Sequence, residues 1–589
     1  MKPDVVQSPP ELSNQYDTDR VLQSSLRRML PKEVHAAVEP GLRAMGERAG
    51  GELYALQQDD LPNEPTLTRW GPWGDRVDRI ELTKVWRRAE EIAAEGGVVA
   101  TAYEQTHGPY SRLHQMALAY LFIPSTDMYG GPLAMTDGAA RTLLDHENEA
   151  LVEKAVPHLT ARDPDAFWTS GQWMTEVSGG SDVSNTRTTA RRDEDGTWRL
   201  YGRKWFTSAI TANMSLALAR PEGNPAGSEG LALFYVPVRE NGTLVDGLSV
   251  NRLKDKLGTR KLPTAELHLD GVVAHPVTDE LRHGTRHIAP MLTVTRTWNA
   301  VTAAAYLRRG LALARDYARK REAFGDAIIN HRLHQETLAD LQARLEGMLH
   351  LSFRLAELLG RRETGHADET DRALLRLLTP IAKLTTAKQA VSGTSEVIEA
   401  FGGAGYVEDT GLPPLLRDAQ VLPIWEGTTN VLALDLLRTV ETVGGLGPIG
   451  DEFERCLTAA ESPQLRRAVR TAFDAFQTAA EWLRGAQADG PEALQAGARR
   501  FARTLGNALE LAYTARHAQW SLRTPSHHLP PRFRWGRDRS PSPRTKPFRP
   551  RRSVSRDDLR MCGTGSERSA RSSGLPLLSS SSDTGCRTG

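Results

Sequence analysis

The order of patterns along the chain predicts an α+β protein, with helices on both sides of a β-rich centre. Two observations carry this. Apolar residues recur three and four apart over about residues 31–165 and again over about 285–440, the spacing of one helix face. Between them, over about 168–280, stand short runs rich in Val, Leu and aromatic residues and bounded by Gly, Pro and Asn, the pattern of strands.

Each element follows in order. Residues 1–30 are polar and Pro-rich and read as irregular. ELTKVWRRAEEIAAEGG and RTLLDHENEALVEKAVPHL read as helices, and RWGPWGD and MYGGP as loops. RLYGRKWFTS, SLALARP, GLALFYVPV and AELHLDGVVAHPV read as strands of an antiparallel β-domain. Leu338, Leu341, Leu345, Met348, Ser352, Leu355 and Leu359 share one face of a long helix. Thr379-Pro380 reads as a cap followed by proline at the first helical position. Helical pattern then continues to about Thr524. The expected divisions are 1–167 (helical), 168–282 (β), 283–440 (a helical bundle), 441–524 (further helices) and 525–589.

The last division is rich in Arg, Ser and Pro and lacks apolar periodicity, so disorder is expected there. A shifted reading frame in a GC-rich gene would give the same composition. It holds 14 basic and 5 acidic residues, net +9, so residues 1–524 carry −8 of the total +1. A mildly acidic body with a basic tail gives the whole chain no bulk attraction to nucleic acid or an acidic membrane. Phe533 and Trp535 interleave with Arg532, Arg534 and Arg537, the pattern of a nucleic-acid-binding tail, although such segments are usually only disordered. The three cysteines form no C-x-x-C pair and no disulfide framework, which fits a reducing cytoplasm. No signal peptide, no membrane-spanning run and no metal-ligand spacing is visible.

Four segments can carry chemistry. MTEVSGGSDVSNTRTTA (174–190) can offer backbone N–H groups and hydroxyls to a polar ring edge or a phosphate, or is a solvated turn. In GRKWFTSA (202–209), alternation places Trp205 and Thr207 on one side of a strand and Phe206 on the other; Trp205 then faces a flat ligand or the core. In ARKREAFGDAI (318–328), Arg321 three residues before Phe324 puts a guanidinium beside an aromatic face, or the basic residues serve a helix C-terminus. Residues 399–438 contain a Gly-Gly turn and then Glu426 just before a helix that Thr428 or Thr429 can cap. The helix dipole favours the ionised carboxylate, and flanking Ile424 and Trp425 imply an apolar pocket that raises its pKa. That mixture suits a general base, and also an ordinary first-turn acid.

Together these segments resemble the acyl-CoA dehydrogenase family: T-E-x-x-G-G-S-D, K-W-F-T, R-x-A-F-G, F-G-G-x-G-Y and W-E-G-T occur in that order between residues 174 and 430. With flanking helices the resemblance covers about residues 30–440. RLKDKLGTRKLPTAELHLDG and IWEGTTNVLALDLLR resemble its adaptive alkylation-response (AidB-like) subgroup. The resemblance implies FAD as cofactor, an acyl-CoA substrate and Glu426 as the base that removes the α-proton. It implies that Met174, Thr175, Trp205 and Thr207 surround the isoalloxazine ring. Gly180 and Ser181 fall near the flavin phosphate and the CoA arm. Arg321 and Phe324 would serve the adenosine diphosphate half of a neighbouring subunit's FAD, and Gly402, Gly403, Thr428 and Asn430 the remaining cofactor contacts. Arg296 matches a substrate-side arginine. Thr293, Arg332 and Glu399 stand where relatives often carry Asp, Gln and Gln. A homotetramer and an electron-transfer flavoprotein acceptor are also implied. The alternatives are a DNA-binding flavoprotein of the alkylation response, with Arg499, Arg500, Arg503, Arg516 and Arg523 as its helical basic face, and a flavin-dependent oxidase.

Overall fold

A computed structural model of the chain describes residues 7–524; the expectations for residues 525–589 lie outside the described residues. The N-terminal helices are α1 (Arg20–Met29), α2 (Lys32–Gly50), α3 (Glu52–Asp59), α4 (Lys84–Glu95), α5 (Ala100–Glu104), α6 (Ser111–Phe122), α7 (Gly130–His146) and α8 (Glu149–Leu159). A hairpin, β1 (Thr66–Trp70) and β2 (Arg76–Glu81), interrupts them. The central strands are β3 (Ser170–Trp173), β4 (Thr189–Arg192), β5 (Trp198–Ser208), β6 (Met214–Pro221), β7 (Ala232–Pro237), β8 (Arg239–Glu240), β9 (Thr243–Leu244), β10 (Leu248–Leu253) and β11 (Thr264–Pro276). Then come α9 (Gly284–His287), α10 (Ala289–Lys320), a small hairpin of β12 (Glu322–Ala323) and β13 (Asp326–Ala327), α11 (Arg332–Glu363), α12 (Glu369–Ala400), α13 (Pro413–Ala419), α14 (Thr429–Thr442), α15 (Gly447–Ala459), α16 (Pro463–Asp489) and α17 (Pro491–Arg523). The fold is therefore α+β, as expected.

Local chemistry explains where the elements depart from the sequence reading. The first 30 residues are not wholly irregular: Asp19 accepts the Leu22 N–H at 2.9 Å and starts α1, whose Leu22 and Leu26 are fully buried. RWGPWGD is the tip of the β1–β2 hairpin, closed by Gly71 N–H donating to Asp75 O at 2.8 Å. MYGGP leads directly into α7, and Gly130 is needed there because a Cβ would lie 2.6 Å from Ile123 Cγ1. RTLLDHENEALVEKAVPHL is two helices, broken where Glu147 turns left-handed (φ 53°) and Asn148 caps α8. Thr379-Pro380 starts no helix. Asp368 caps α12 by accepting the Asp371 N–H at 2.7 Å, and the helix runs through Pro380. The Thr379 hydroxyl donates back to Leu375 O at 2.7 Å.

The seven-stranded sheet has the order β10-β11-β5-β4-β6-β3, with β7 pairing both β11 and β6. Most pairs are antiparallel, but β3–β6 and β4–β6 are parallel, so the expected antiparallel domain is a mixed sheet. β5 and β11 pair with register shifts at Ala265/Leu267 and Asp270/Val272, two bulges that re-aim side chains.

One apolar core joins the N-terminal helices to those after residue 288, including α15, α16 and α17. The face of α11 read from the sequence lies in it: Leu338, Leu341, Leu345, Met348, Leu355 and Leu359 are all buried, each worth about 1.5–3 kcal/mol of transfer free energy. The sheet has its own core, and α7 and α8 pack on β6 and β7 through a third cluster. No described helix is long and apolar enough to cross a membrane.

Candidate active site

The acid singled out in the sequence lies in the turn between α13 and α14. Thr428 caps α14, its hydroxyl accepting the Val431 N–H at 3.5 Å. Glu426 is left-handed (φ 55°) and Gly427 follows at φ 100°. A glutamate rarely adopts this backbone unless its surroundings enforce it. Here they do. Lys383 Nζ, from α12, donates to the carbonyls on either side, Trp425 O at 2.7 Å and Gly427 O at 2.6 Å. Arg296, from α10, donates to Glu426 O at 3.3 Å and pairs with Asp435 at 2.9 Å. Asn299 holds Leu422 O at 3.2 Å.

The carboxylate itself accepts the Thr295 hydroxyl at 3.0 Å and stands beside Gln172. Burial pushes its pKa above the usual carboxylate range, against the pull of Arg296, Thr295, Lys383 and Gln172. A carboxylate raised by burial yet kept in reach of cations and a hydroxyl donor is suited to accept a proton. Trp425 closes one side: a side chain at Gly131 of α7 would sit 3.6 Å from both Trp425 and Leu262. Leu262 belongs to the loop between β10 and β11, part of RLKDKLGTRKLP. Thr259 N–H donates to Asp418 of α13 at 2.6 Å, and Lys261 pairs with Asp127 at 3.1 Å. This loop fastens the sheet to the helices that carry the base.

The Ser- and Gly-rich turn has a buried root. Glu176 accepts from Arg187 N–H (2.7 Å), the Thr188 hydroxyl (2.6 Å) and Lys204 Nζ (2.9 Å), while Gly180 and Ser181 are exposed beyond it. A Cβ on Gly180 would fall 2.4 Å from the Thr175 hydroxyl. Trp205 N–H donates to Thr175 O at 3.0 Å and ties the turn to β5. Met174 lies beside Gln172, whose amide donates to its sulfur at 3.0 Å.

The expected alternation of Trp205, Phe206 and Thr207 does not hold. The β5–β11 bulge sets Trp205 and Phe206 against one ammonium, Lys254 Nζ, 3.6 and 4.6 Å from their ring centroids. Thr207 turns inward, buried, and donates to Ala265 O at 2.7 Å.

Of the remaining candidates, Phe324, Gly402, Gly403 and Asn430 lie on open surface. Arg321 is the C-cap of α10 and donates to Gln7 at 3.3 Å rather than stacking on Phe324, because the chain leaves the helix there. Phe324 tips the β12–β13 hairpin, left-handed and 99% exposed, with His331 as its aromatic neighbour. Gly402 (φ 61°) and Gly403 have open space where a Cβ would stand, and Tyr406 after them is exposed. Asn430 is exposed and accepts from Arg499 at 3.3 Å. Arg296, expected on the substrate side, uses Nε on Glu426 O and Nη1 on Asp435, and so braces the turn that carries Glu426. Among the described residues, no group of acidic, His and Cys side chains could hold a metal ion.

The acyl-CoA dehydrogenase C-terminal domain matches residues 282–441, the acyl-CoA dehydrogenase middle domain 171–272, and the adaptive response protein AidB N-terminal domain 7–166. Acyl-CoA dehydrogenase family member 11 of Caenorhabditis elegans is 45% identical over 441 residues, 73% of this chain and 71% of that one. The chain belongs to the acyl-CoA dehydrogenase family. The putative acyl-CoA dehydrogenase AidB of Escherichia coli is 32% identical over 69% of this chain and 74% of its own. The crystal structure of C. elegans ACDH-11 in complex with C11-CoA superposes with a TM-score of 0.86 at 40% identity, covering 89% of this chain and 91% of that one.

As an acyl-CoA dehydrogenase, the chain is an oxidoreductase whose cofactor is FAD. The structure offers what such a group needs. Gly402 and Gly403 leave uncovered backbone, Phe324 and Tyr406 offer uncovered rings, and the Trp425 indole N–H and Gln172 Oε1 are buried without partners near the base. Sequence reasoning missed Lys383, Thr295, Gln172 and the Glu176–Lys204 pair. Glu176 and Lys204 do belong to motif segments; Lys383 gives no local signal.

Proposed function

We propose that Glu426 is the base of this dehydrogenase and removes the α-proton of an acyl-CoA thioester. FAD, when bound, supplies the acceptor for the β-hydride. The chain does the rest. Thr295 and Gln172 orient the carboxylate, and Arg296 and Lys383 hold the turn on which it sits. Trp425 and Leu262 exclude water, and the Glu426 backbone N–H donates to the thioester oxygen as charge builds there. The observation that carries this reading is a half-buried carboxylate, its pKa raised by desolvation, on a turn braced from two helices.

Met174, Thr175, Trp205 and Thr207 are assigned to the flavin ring, and Gly180 and Ser181 to the phosphate side. Thr428 and Asn430 complete the contacts at the head of α14. Gly402 and Gly403 join Thr428 and Asn430 as remaining cofactor contacts, and Arg321 and Phe324 are assigned to the FAD of a second subunit, which makes a homotetramer the working assembly. A monomeric mass in light scattering for protein that keeps its FAD overturns that. The structure of ACDH-11 with C11-CoA makes an eleven-carbon acyl-CoA the first substrate to test, beside short, branched and aryl ones. Electrons then pass to an electron-transfer flavoprotein; oxygen consumption without an added acceptor would mark an oxidase instead. The DNA-binding reading has less support. In α17, Arg523 pairs with Glu461 and Arg499 bonds to Asn430, so two of its five arginines are engaged within the chain.

The test is Glu426→Gln. Flavin bleaching by acyl-CoA falls by about 10²–10⁴-fold with FAD retained. Bleaching at the parental rate sinks the assignment.

A further inference from the structure

Lys383 lies on α12, outside every motif that marks the site, and is fully buried. A buried ammonium needs partners for its charge and its three protons. This one has two, Trp425 O and Gly427 O, the peptide carbonyls on either side of Glu426. Among the described residues it forms no ion pair within contact distance. The two carbonyls, separated by one residue, converge on one ammonium across a turn of the backbone. Glu426 and Gly427 make that turn, at φ 55° and 100°. The ammonium thus compensates the strain of a left-handed glutamate.

We propose that Lys383 is a positioning residue for the base, its ammonium clamping the two carbonyls so that the carboxylate and the N–H of Glu426 are both aimed into the site. The inference rests on the reading of Glu426 as the base. The clamp uses carbonyls rather than the carboxylate, so it survives the step in which Glu426 becomes neutral. A direct ion pair would weaken at that moment and would occupy the oxygens that must receive the proton. The charges facing the pair are Arg296 from α10 and, through it, Asp435 from α14; Thr295 and Gln172 are the neutral neighbours. Burial pulls the Lys383 ammonium down to about 7, with Arg296 acting in the same direction and Glu426 opposing both. In return the Lys383 charge lowers the pKa of Glu426.

Lys383→Met keeps the length and removes both donor and charge; Lys383→Gln keeps a donor without charge. Both are measured as FAD holoenzyme by rapid flavin reduction with saturating acyl-CoA across pH, beside Glu426→Gln. Lys383→Met retains FAD and substrate binding, reduces flavin about 10²-fold more slowly, and shows its acid limb moved to higher pH, since a nearby cation that favours the carboxylate is gone. Lys383→Gln shows the same moved limb with a smaller rate loss, about tenfold, because one carbonyl contact returns. A Lys383→Met profile superimposable on the parent, with Glu426→Gln inactive, overturns the inference and leaves the base assignment standing. Parental activity in Glu426→Gln overturns both. If Lys383→Met does not fold as holoenzyme, Lys383→Gln decides alone: a profile identical to the parent's overturns the clamp.

Discussion

Glu426 and Phe324 adopt nearly the same backbone, φ 55° and 54°, in opposite surroundings. Glu426 is enclosed. Lys383, Arg296, Thr295 and the cap at Thr428 hold it from three helices. Phe324 is 99% exposed on a two-residue-strand hairpin, with Gly325 sharing the turn and only His331 beside it, at the edge of the ring and bonded to Ala323 O at 2.9 Å. A strained residue persists where something over-determines it. For Glu426 that constraint lies inside one chain. For Phe324 the FAD and second subunit proposed above would supply the constraint beyond the hairpin. The turn carrying the proposed base is thus braced within one chain, whereas the Phe324 hairpin leaves its ring uncovered.

This contrast can be broken in three ways. The largest effect is expected from Arg296→Met, which frees the carbonyl of Glu426 and strands Asp435. Flavin reduction falls by about 10²-fold through misplacement of the base, with FAD content unchanged. A rate within twofold of the parent would show that Lys383 alone suffices. Next, Phe324→Ala weakens FAD retention by about tenfold, the worth of one well-packed aromatic contact, in a titration of apoprotein. The thermal midpoint of the flavin-free chain stays unchanged, because the ring touches little of its own chain. A lowered midpoint would mean that Phe324 is structural. The smallest effect is expected from Thr295→Val. The hydroxyl stabilises the ionised form of Glu426, so its loss raises the carboxyl pKa further and moves the acid limb of kcat/KM to higher pH. Rates well above that limb change only a few-fold. An unmoved limb would show that the bond does not persist in the working enzyme.

Much of this was legible in the residues. The helix–sheet–helix order, the buried face of α11 and the capped helix after Glu426 follow from period and cap chemistry, which act over a few residues. What was not legible depends on tertiary packing. Trp205 and Phe206 share a face because β11 imposes a bulge, and a bulge in β5 is invisible without its partner. Pro380 resembles a helix start locally, yet α12 passes through it because α10 and α14 pack along it. Lys383 reads as one more lysine on a helix. Its role exists only where α12 passes the turn after α13. Arg296 was visible as a candidate but not its direction, which Asp435 sets.

The shared core of the first and last helices has a consequence for how the chain is made. Arg28 of α1 donates to His517 Nδ1 of α17 at 3.1 Å, and His517 Nε2 meets Ser24 at 3.0 Å. An arginine can only donate, so that ring is neutral with its proton on Nε2, consistent with burial holding its pKa down at about 4. The partners are 493 and 489 residues apart. At a synthesis rate of about 5–20 residues per second, Ser24 and Arg28 leave the ribosome roughly 25–100 s before His517 exists. The Ser24 and Arg28 side of α1 thus stays without its α17 partner while the rest of the chain is made. Nascent-chain arrest before residue 517 should leave the Ser24 and Arg28 side of α1 open to solvent, and synthesis of α17 should close it.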